Sequence, residues 1–222
     1  MVERFAIGVP ELDQILQGGL AKGTICTVLG PPGAGKSILS KRFIFTGIQG
    51  GKDAFLIATT EGEGDVGDTM KQFKWTQGLD RLHVLDCYSW RFGGNRAKYS
   101  ASASSLTEVS MTLTRMLDDT GVTAKGDSRF VVDSFTDFIK NAGLERALKL
   151  LDAIRGKLKS RGMTGLVLME EGVHDEKANS SVEYATDGTI RMKLSDQGRF
   201  MMVSRMSATQ LSPKWIPYAI GR

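Results

Sequence analysis

Eight consecutive residues constrain this chain more than any others: Gly30-Pro31-Pro32-Gly33-Ala34-Gly35-Lys36-Ser37. They satisfy the pattern G-x-x-x-x-G-K-S/T and stand between an apolar run, Ile25–Gly30, that reads as a strand and a segment, Lys36–Gly47, that reads as a helix. The order has a physical reason. Glycines let the backbone wrap closely around phosphate oxygens, so N–H groups from Gly33 to Ser37 converge on one phosphate, and the positive end of the following helix adds to the field. Lys36 then bridges the outer two phosphates, and the Ser37 hydroxyl is placed to ligate Mg²⁺. The segment assigned to the nucleotide comprises Gly30, Pro32, Gly33, Ala34, Gly35, Lys36, Ser37 and Ile38.

The same alternation continues along the chain. Ala54–Thr59 reads as a strand, Gly67–Gln77 as a helix and Leu82–Asp86 as a strand. Thr107–Asp118 places Val109, Leu113, Met116 and Leu117 on one helical face. Phe130–Val132, Leu144–Leu158 and Leu166–Met169 read as strand, helix and strand. Three short strands follow, Thr189–Leu194, Phe200–Val203 and Ile216–Ile220, the first two joined by a tight turn at Asp196–Gly198. Repeated strand–helix units predict an α/β fold with a mostly parallel central sheet, helices on both faces and an antiparallel C-terminal extension. One domain spanning residues 1–222 is the expected organisation. Two polar stretches, Ser89–Ser105 and Glu171–Ser181, read as long loops.

Composition removes several classes of function. A net charge of +4 is too small and too scattered to be a nucleic-acid footprint by itself. No apolar run can cross a bilayer, and Met1 to Gly8 lacks the apolar core of a signal peptide, so no membrane insertion and a cytoplasmic location are expected. Two cysteines, Cys26 and Cys87, lie in strand-like surroundings and read as buried reduced thiols.

The phosphate loop calls for a second carboxylate at a strand end, and Phe130-Val131-Val132-Asp133-Ser134 supplies one. Asp133 is assigned with Ser37 to Mg²⁺; taken alone, such an acid would read as a turn cap. His174-Asp175-Glu176 offers no second His or Cys nearby and reads as a solvated loop.

The lead-in Gly8-Val9-Pro10-Glu11-Leu12-Asp13, then Gly18-Gly19-Leu20 and Gly23-Thr24, resembles that of the RecA/KaiC-like P-loop ATPases, in which a similar Gly- and Leu-Asp-containing stretch precedes the phosphate-loop strand. The resemblance runs on through Ala54–Trp75, Arg129–Phe138 and Glu183–Arg191, nearly the whole chain, and is nearest to the single-domain KaiC-like branch related to archaeal recombinase paralogues. It implies a RecA-like core, ATP with Mg²⁺ as ligand, and often a homo-oligomeric, six-membered ring with nucleotide between subunits. In that register Thr60 replaces the first of two adjacent glutamates, the one that polarises the attacking water, and Glu61 matches the second, with Glu63 as its alternative. Arg205 keeps the cation of a stretch that ring-forming members present to a neighbour's γ-phosphate, but Ser207 stands where an arginine is usual. Glu170 matches a polar sensor beside the γ-phosphate, and Gln72 a position near adenine. Lys36, Glu61, Glu170 and Arg205 are thus the expected catalytic set.

What the resemblance implies is an ATP-binding, slowly hydrolysing regulatory ATPase read by a protein partner. Two alternatives stay open. One is a recombination accessory binding single-stranded DNA through Arg91, Arg96 and Lys98 interleaved with Trp90, Phe92 and Tyr99. The other is a non-hydrolysing ATP sensor beside an archaellum-type motor.

Overall fold

The computed structural model describes residues 2–93, 97–122 and 127–220. A short antiparallel pair, β1 (Arg4–Phe5) and β2 (Leu20–Ala21), brackets α1 (Pro10–Ile15) at the N-terminus. Next come β3 (Ile25–Gly30), α2 (Lys36–Gln49), β4 (Ala54–Ala58), α3 (Glu63–Gln72), β5 (Leu82–Asp86) and β6 (Tyr99–Ser100). The second half holds α4 (Leu106–Asp119), β7 (Arg129–Asp133), α5 (Thr136–Ala142), α6 (Leu144–Ser160), β8 (Thr164–Glu170) and α7 (Glu176–Ala185). It closes with β9 (Gly188–Ser195), β10 (Gly198–Met206) and β11 (Ile216–Tyr218).

Nine strands form one sheet in the order β11-β10-β9-β3-β8-β7-β4-β5-β6. From β9 to β6 every pairing is parallel; β10 and β11 add on antiparallel. The fold is therefore the mixed α/β sheet expected, with the antiparallel extension starting one strand later, because β9 pairs in parallel with β3.

Alternation along the central strands sorts the core into two layers. Ile25, Leu29, Phe55, Ile57, Phe130, Val132, Val167 and Met169 face α4, α5, α6 and α7. Their neighbours Cys26, Val28, Leu56, Ala58, Val131, Leu166 and Leu168 face α1, α2 and α3. Strands buried on both faces read as unbroken apolar runs, which is why they are visible in the sequence. Both cysteines are buried and unpaired, and burial pushes both thiols well above their ordinary range.

Three sequence expectations are corrected. The helix expected over Gly67–Gln77 starts a turn earlier, at Glu63, because Asp65 reaches back to accept from the Gly62 N–H at 3.2 Å. It ends at Gln72, ahead of Lys74, which takes a left-handed φ of 59°. The polar stretch Glu171–Ser181 is not a loop throughout: Asp175 caps α7 by accepting from Ala178 N–H at 2.8 Å. Ser89–Ser105 contains a short 3-10 turn, Ser89–Phe92, and edge strand β6, while Gly94, Asn95 and Arg96 of that stretch lie outside the described residues. Helix α5 has no counterpart among the sequence expectations; its signal is the i, i+3, i+4 spacing of Phe135, Phe138 and Ile139, all buried.

Phe130 sits in mid-sheet with no exposed surface. Phe130→Ala should cost about 3–5 kcal/mol, from lost transfer energy and the cavity left behind. A denaturant midpoint close to wild type would show that the core is not closed there.

Candidate functional site

Parallel sheets offer ligand sites beyond the carboxyl ends of their strands, where connections diverge to opposite faces. Here β3 lies between β8 and β9, and its end at Gly30 leads into the phosphate loop. Gly33 and Gly35 adopt φ of 78° and 91°, a left-handed conformation that side chains resist. At Gly35 a Cβ would also fall 2.6 Å from the Ile220 side chain, so the C-terminal segment packs directly on the loop.

Lys36 opens α2 and is only 4% exposed. Its ammonium donates to the carbonyls of Gly30 and Pro31 and to Glu170 Oε2, each at 2.8 Å. Glu170 ends β8, directly beside Gly30 in register. Asp133 ends β7, the strand beyond β8, and is 3% exposed. Burial raises its carboxyl pKa, opposed by the charge of Lys41 and a hydrogen bond from the Ser37 side chain, while Glu61 and Glu170 reinforce the rise. Asp133 Oδ2 is buried without a hydrogen-bond partner. A dry, unsatisfied carboxylate oxygen next to a serine hydroxyl fits a hard divalent cation, which takes oxygen ligands. Ser37 and Asp133 are the residues that would hold Mg²⁺.

Glu61 follows β4 and forms an ion pair with Lys41 of α2, whose side chain is 2% exposed. Glu63 turns elsewhere: its carboxyl pKa is raised by partial burial and by the nearby charge of Asp86, whereas the charge of Glu61 acts on Asp133. Of the two candidate acids, Glu61 is the one whose charge acts on Asp133. Thr60 is exposed. A hydrogen-bond relay secures the strand ends. Thr59 Oγ1 donates to Asp137 Oδ2 at 2.7 Å, lies 3.0 Å from Ser134 O and accepts from Ser134 N–H. Thr136 Oγ1 accepts from Glu170 N–H at 2.8 Å. His174 pairs with the Thr136 carbonyl at 3.1 Å, and no group of metal-ligating side chains surrounds it among the described residues.

On the outer side of α2 a cavity of about 400 Å³ adjoins the loop. Gly35, Ile38, Arg42, Phe73, Trp75 and Tyr218 are among its walls. Phe73 and Trp75 stack with centroids 4.8 Å apart, and the Arg42 guanidinium lies 5.6 Å from the Trp75 ring. Tyr218 donates its hydroxyl to the Ala34 carbonyl, and burial pushes its pKa up to about 12. An apolar, aromatic recess beside a phosphate loop suits a planar base. Gln72 is exposed and is not part of the wall; its neighbours Phe73 and Trp75 are. Their signal is an aromatic pair spaced by one residue after a helix.

Arg205 is not brought to this chain's own loop. It pairs in register with Thr189, which lies beside Thr27, three residues before the strand end at Gly30. Its guanidinium donates to the carbonyls of Glu183 and Thr186 at the end of α7. Ser207 donates to Asp187 O at 2.9 Å. Lys41 has no role among the sequence expectations. Its signal is a lysine four residues after Ser37, on the helix face turned to the sheet.

Two outcomes follow for single variants. Lys36→Ala should lose detectable ATP binding with the fold intact by circular dichroism; unchanged affinity would refute the phosphate-site assignment. Asp133→Asn should weaken Mg-dependent ATP binding far more than Mg-free binding. A group whose folded pKa is raised loses stability as pH rises through it, so above that pKa the same variant should stabilise the nucleotide-free protein in thermal melting. Equal losses with and without magnesium would assign Asp133 a structural role.

Comparison with known proteins places the chain. The family model for the KaiC ATPase matches residues 5–222. The UPF0273 protein of Thermotoga maritima is 27% identical, covering 99% of this chain and 93% of its own length. That of Pyrococcus furiosus is 28% identical, covering 99% and 92%. A crystal structure of a KaiC-like protein from Pyrococcus horikoshii superposes with a TM-score of 0.80 at 19% identity, over 100% of this chain and 96% of that one, and so shares its fold. With its phosphate loop, its strand-end acid and this match over nearly its full length, the chain belongs to the KaiC ATPase family.

Proposed function

We propose that this chain acts as one domain, a regulatory ATPase that binds Mg-ATP and hydrolyses it slowly, so that its nucleotide state controls self-assembly or the binding of a protein partner. The observation that carries the reading is that the carboxyl edge of the sheet holds both the buried Lys36 and, beside Ser37, an Asp133 oxygen without a partner. Hydrolysis would join a water oxygen to the γ-phosphorus and break its bond to the bridging oxygen of ADP, the water proton leaving with Glu61 or the released phosphate. Bound Mg²⁺ would draw charge from the phosphoryl oxygens, as Lys36 would from the other side. Glu61 would orient the water.

Slow turnover is supported by what surrounds these groups. Glu61 is tied to Lys41, Thr60 carries no carboxylate, and Arg205 is engaged by its own α7. A missing arginine finger alone forgoes about 10³–10⁵ in rate. In a ring, Arg205 could serve only a neighbour's nucleotide, since it lies away from its own loop. Solution mass with and without Mg-ATP tests assembly, and single-turnover hydrolysis separates a slow enzyme from a pure sensor.

A DNA-binding reading keeps one observation in its favour: Trp90 and Phe92 are 41% and 72% exposed around Arg91. Against it, Tyr99 is buried beneath Lys98 and Arg115 and offers no ring for stacking. Titration with single-stranded DNA at two salt concentrations decides, because phosphate contacts must weaken with salt.

Restoring the absent groups should speed turnover. Thr60→Glu and Ser207→Arg act on charge that develops in the transition state, so kcat should rise, by about tenfold or more for the arginine, with little change in ATP affinity. The Ser207→Arg gain should grow with protein concentration, since it works only across subunits. A wild type already fast would replace the regulatory reading with an ordinary motor ATPase.

A further inference from the structure

Lys41 is among the largest fully buried side chains of the protein, and burial of a lysine demands a partner. It lies four residues beyond Ser37 on α2, so both side chains share the helix face turned to the strand ends. Its ammonium meets Glu61 Oε1, and its charge favours the ionised form of Asp133. The charges of Glu61 and Glu170 both act on Asp133, and each of these two acids is paired with an ammonium group, Lys41 and Lys36. Lys36 serves Glu170 and the loop carbonyls; Lys41 pairs with Glu61.

We infer that Lys41 is a positioning residue of this ATPase: its buried ammonium holds the Glu61 carboxylate beside Asp133, aimed at the attacking water, and acts as a built-in counter-charge to the Mg²⁺ ligands. This rests on the ATPase reading above. Two consequences follow. A carboxylate anchored by an internal cation keeps one orientation through the cycle. A fixed positive charge next to Asp133 also opposes a second cation there, so the site takes Mg²⁺ less avidly than its acids alone would allow.

The test compares wild type, Lys41→Met, Lys41→Arg, Glu61→Gln and the Lys41→Met/Glu61→Gln pair, each checked for folding by thermal melting. In Lys41→Met, single-turnover hydrolysis should fall about 10–100-fold, as for loss of an outer-shell partner, while Mg-free ATP binding holds. Lys41→Arg should recover much of the rate. The double variant should be no slower than Glu61→Gln alone, because Lys41 acts through Glu61. The magnesium concentration at half-effect in fluorescent-ATP binding should drop at least about threefold in Lys41→Met. Wild-type hydrolysis in Lys41→Met, or a further slowing of Glu61→Gln by the same factor as in the wild-type background, overturns the inference. Should Lys41→Met fail to fold, the charge-free double variant and Lys41→Arg carry the comparison. Should wild type itself hydrolyse nothing, the ATPase reading fails, and the magnesium titration still decides for Lys41: an unchanged half-effect concentration removes its role as counter-charge.

Discussion

Ionised groups taken out of water must find opposite charges, hydrogen bonds or a metal, and that requirement organises the carboxyl edge of this sheet. Lys36 is held by two loop carbonyls and Glu170, Lys41 by Glu61, and Asp133 has Ser37 but keeps one oxygen unsatisfied. These groups are supplied by the loop, α2, and the ends of β4, β7 and β8. The strand order β3-β8-β7-β4 brings these ends together. The relay through Thr59, Ser134 and Thr136 then keeps them from drifting apart. The site is therefore rigid on its sheet side, with its one unmet demand at Asp133.

The opposite side of the loop is built from apolar contacts. Phe73, Trp75 and Arg42 line one wall of the recess, and the C-terminal segment closes over Gly35 through Ile220 and over Ala34 through the Tyr218 hydroxyl. A strand added antiparallel at the sheet edge thus reaches the phosphate loop. That gives the fold a direct link between the nucleotide site and an edge of the molecule.

Much of this is legible in the order of the amino acids. The buried parallel strands appear as apolar runs, Asp133 stands out as an acid closing one of them, and the eight-residue loop announces its own geometry through its glycines. Glu61 is distinguishable from Glu63 only in space, because both follow the same strand and differ in which turn of chain carries them towards Asp133 or Asp86. Gln72 and Phe73 are adjacent in sequence, yet the recess takes the aromatic ring and leaves the amide in solvent. Arg205 carries the right charge, but its partners are backbone carbonyls at a helix end, which no spacing rule identifies.

The amino-acid sequence by itself determined the strand–loop–helix that binds phosphate, the α/β alternation and the family, since these depend on local backbone freedom and on periodicity within a few residues. Tertiary structure alone decided which charges meet. Lys41 with Glu61, Glu170 with Lys36, and Ser37 with Asp133 lie 20, 134 and 96 residues apart. Their encounter depends on strand order and burial, and in a dry interior those long-range electrostatic pairings set the chemistry of the site.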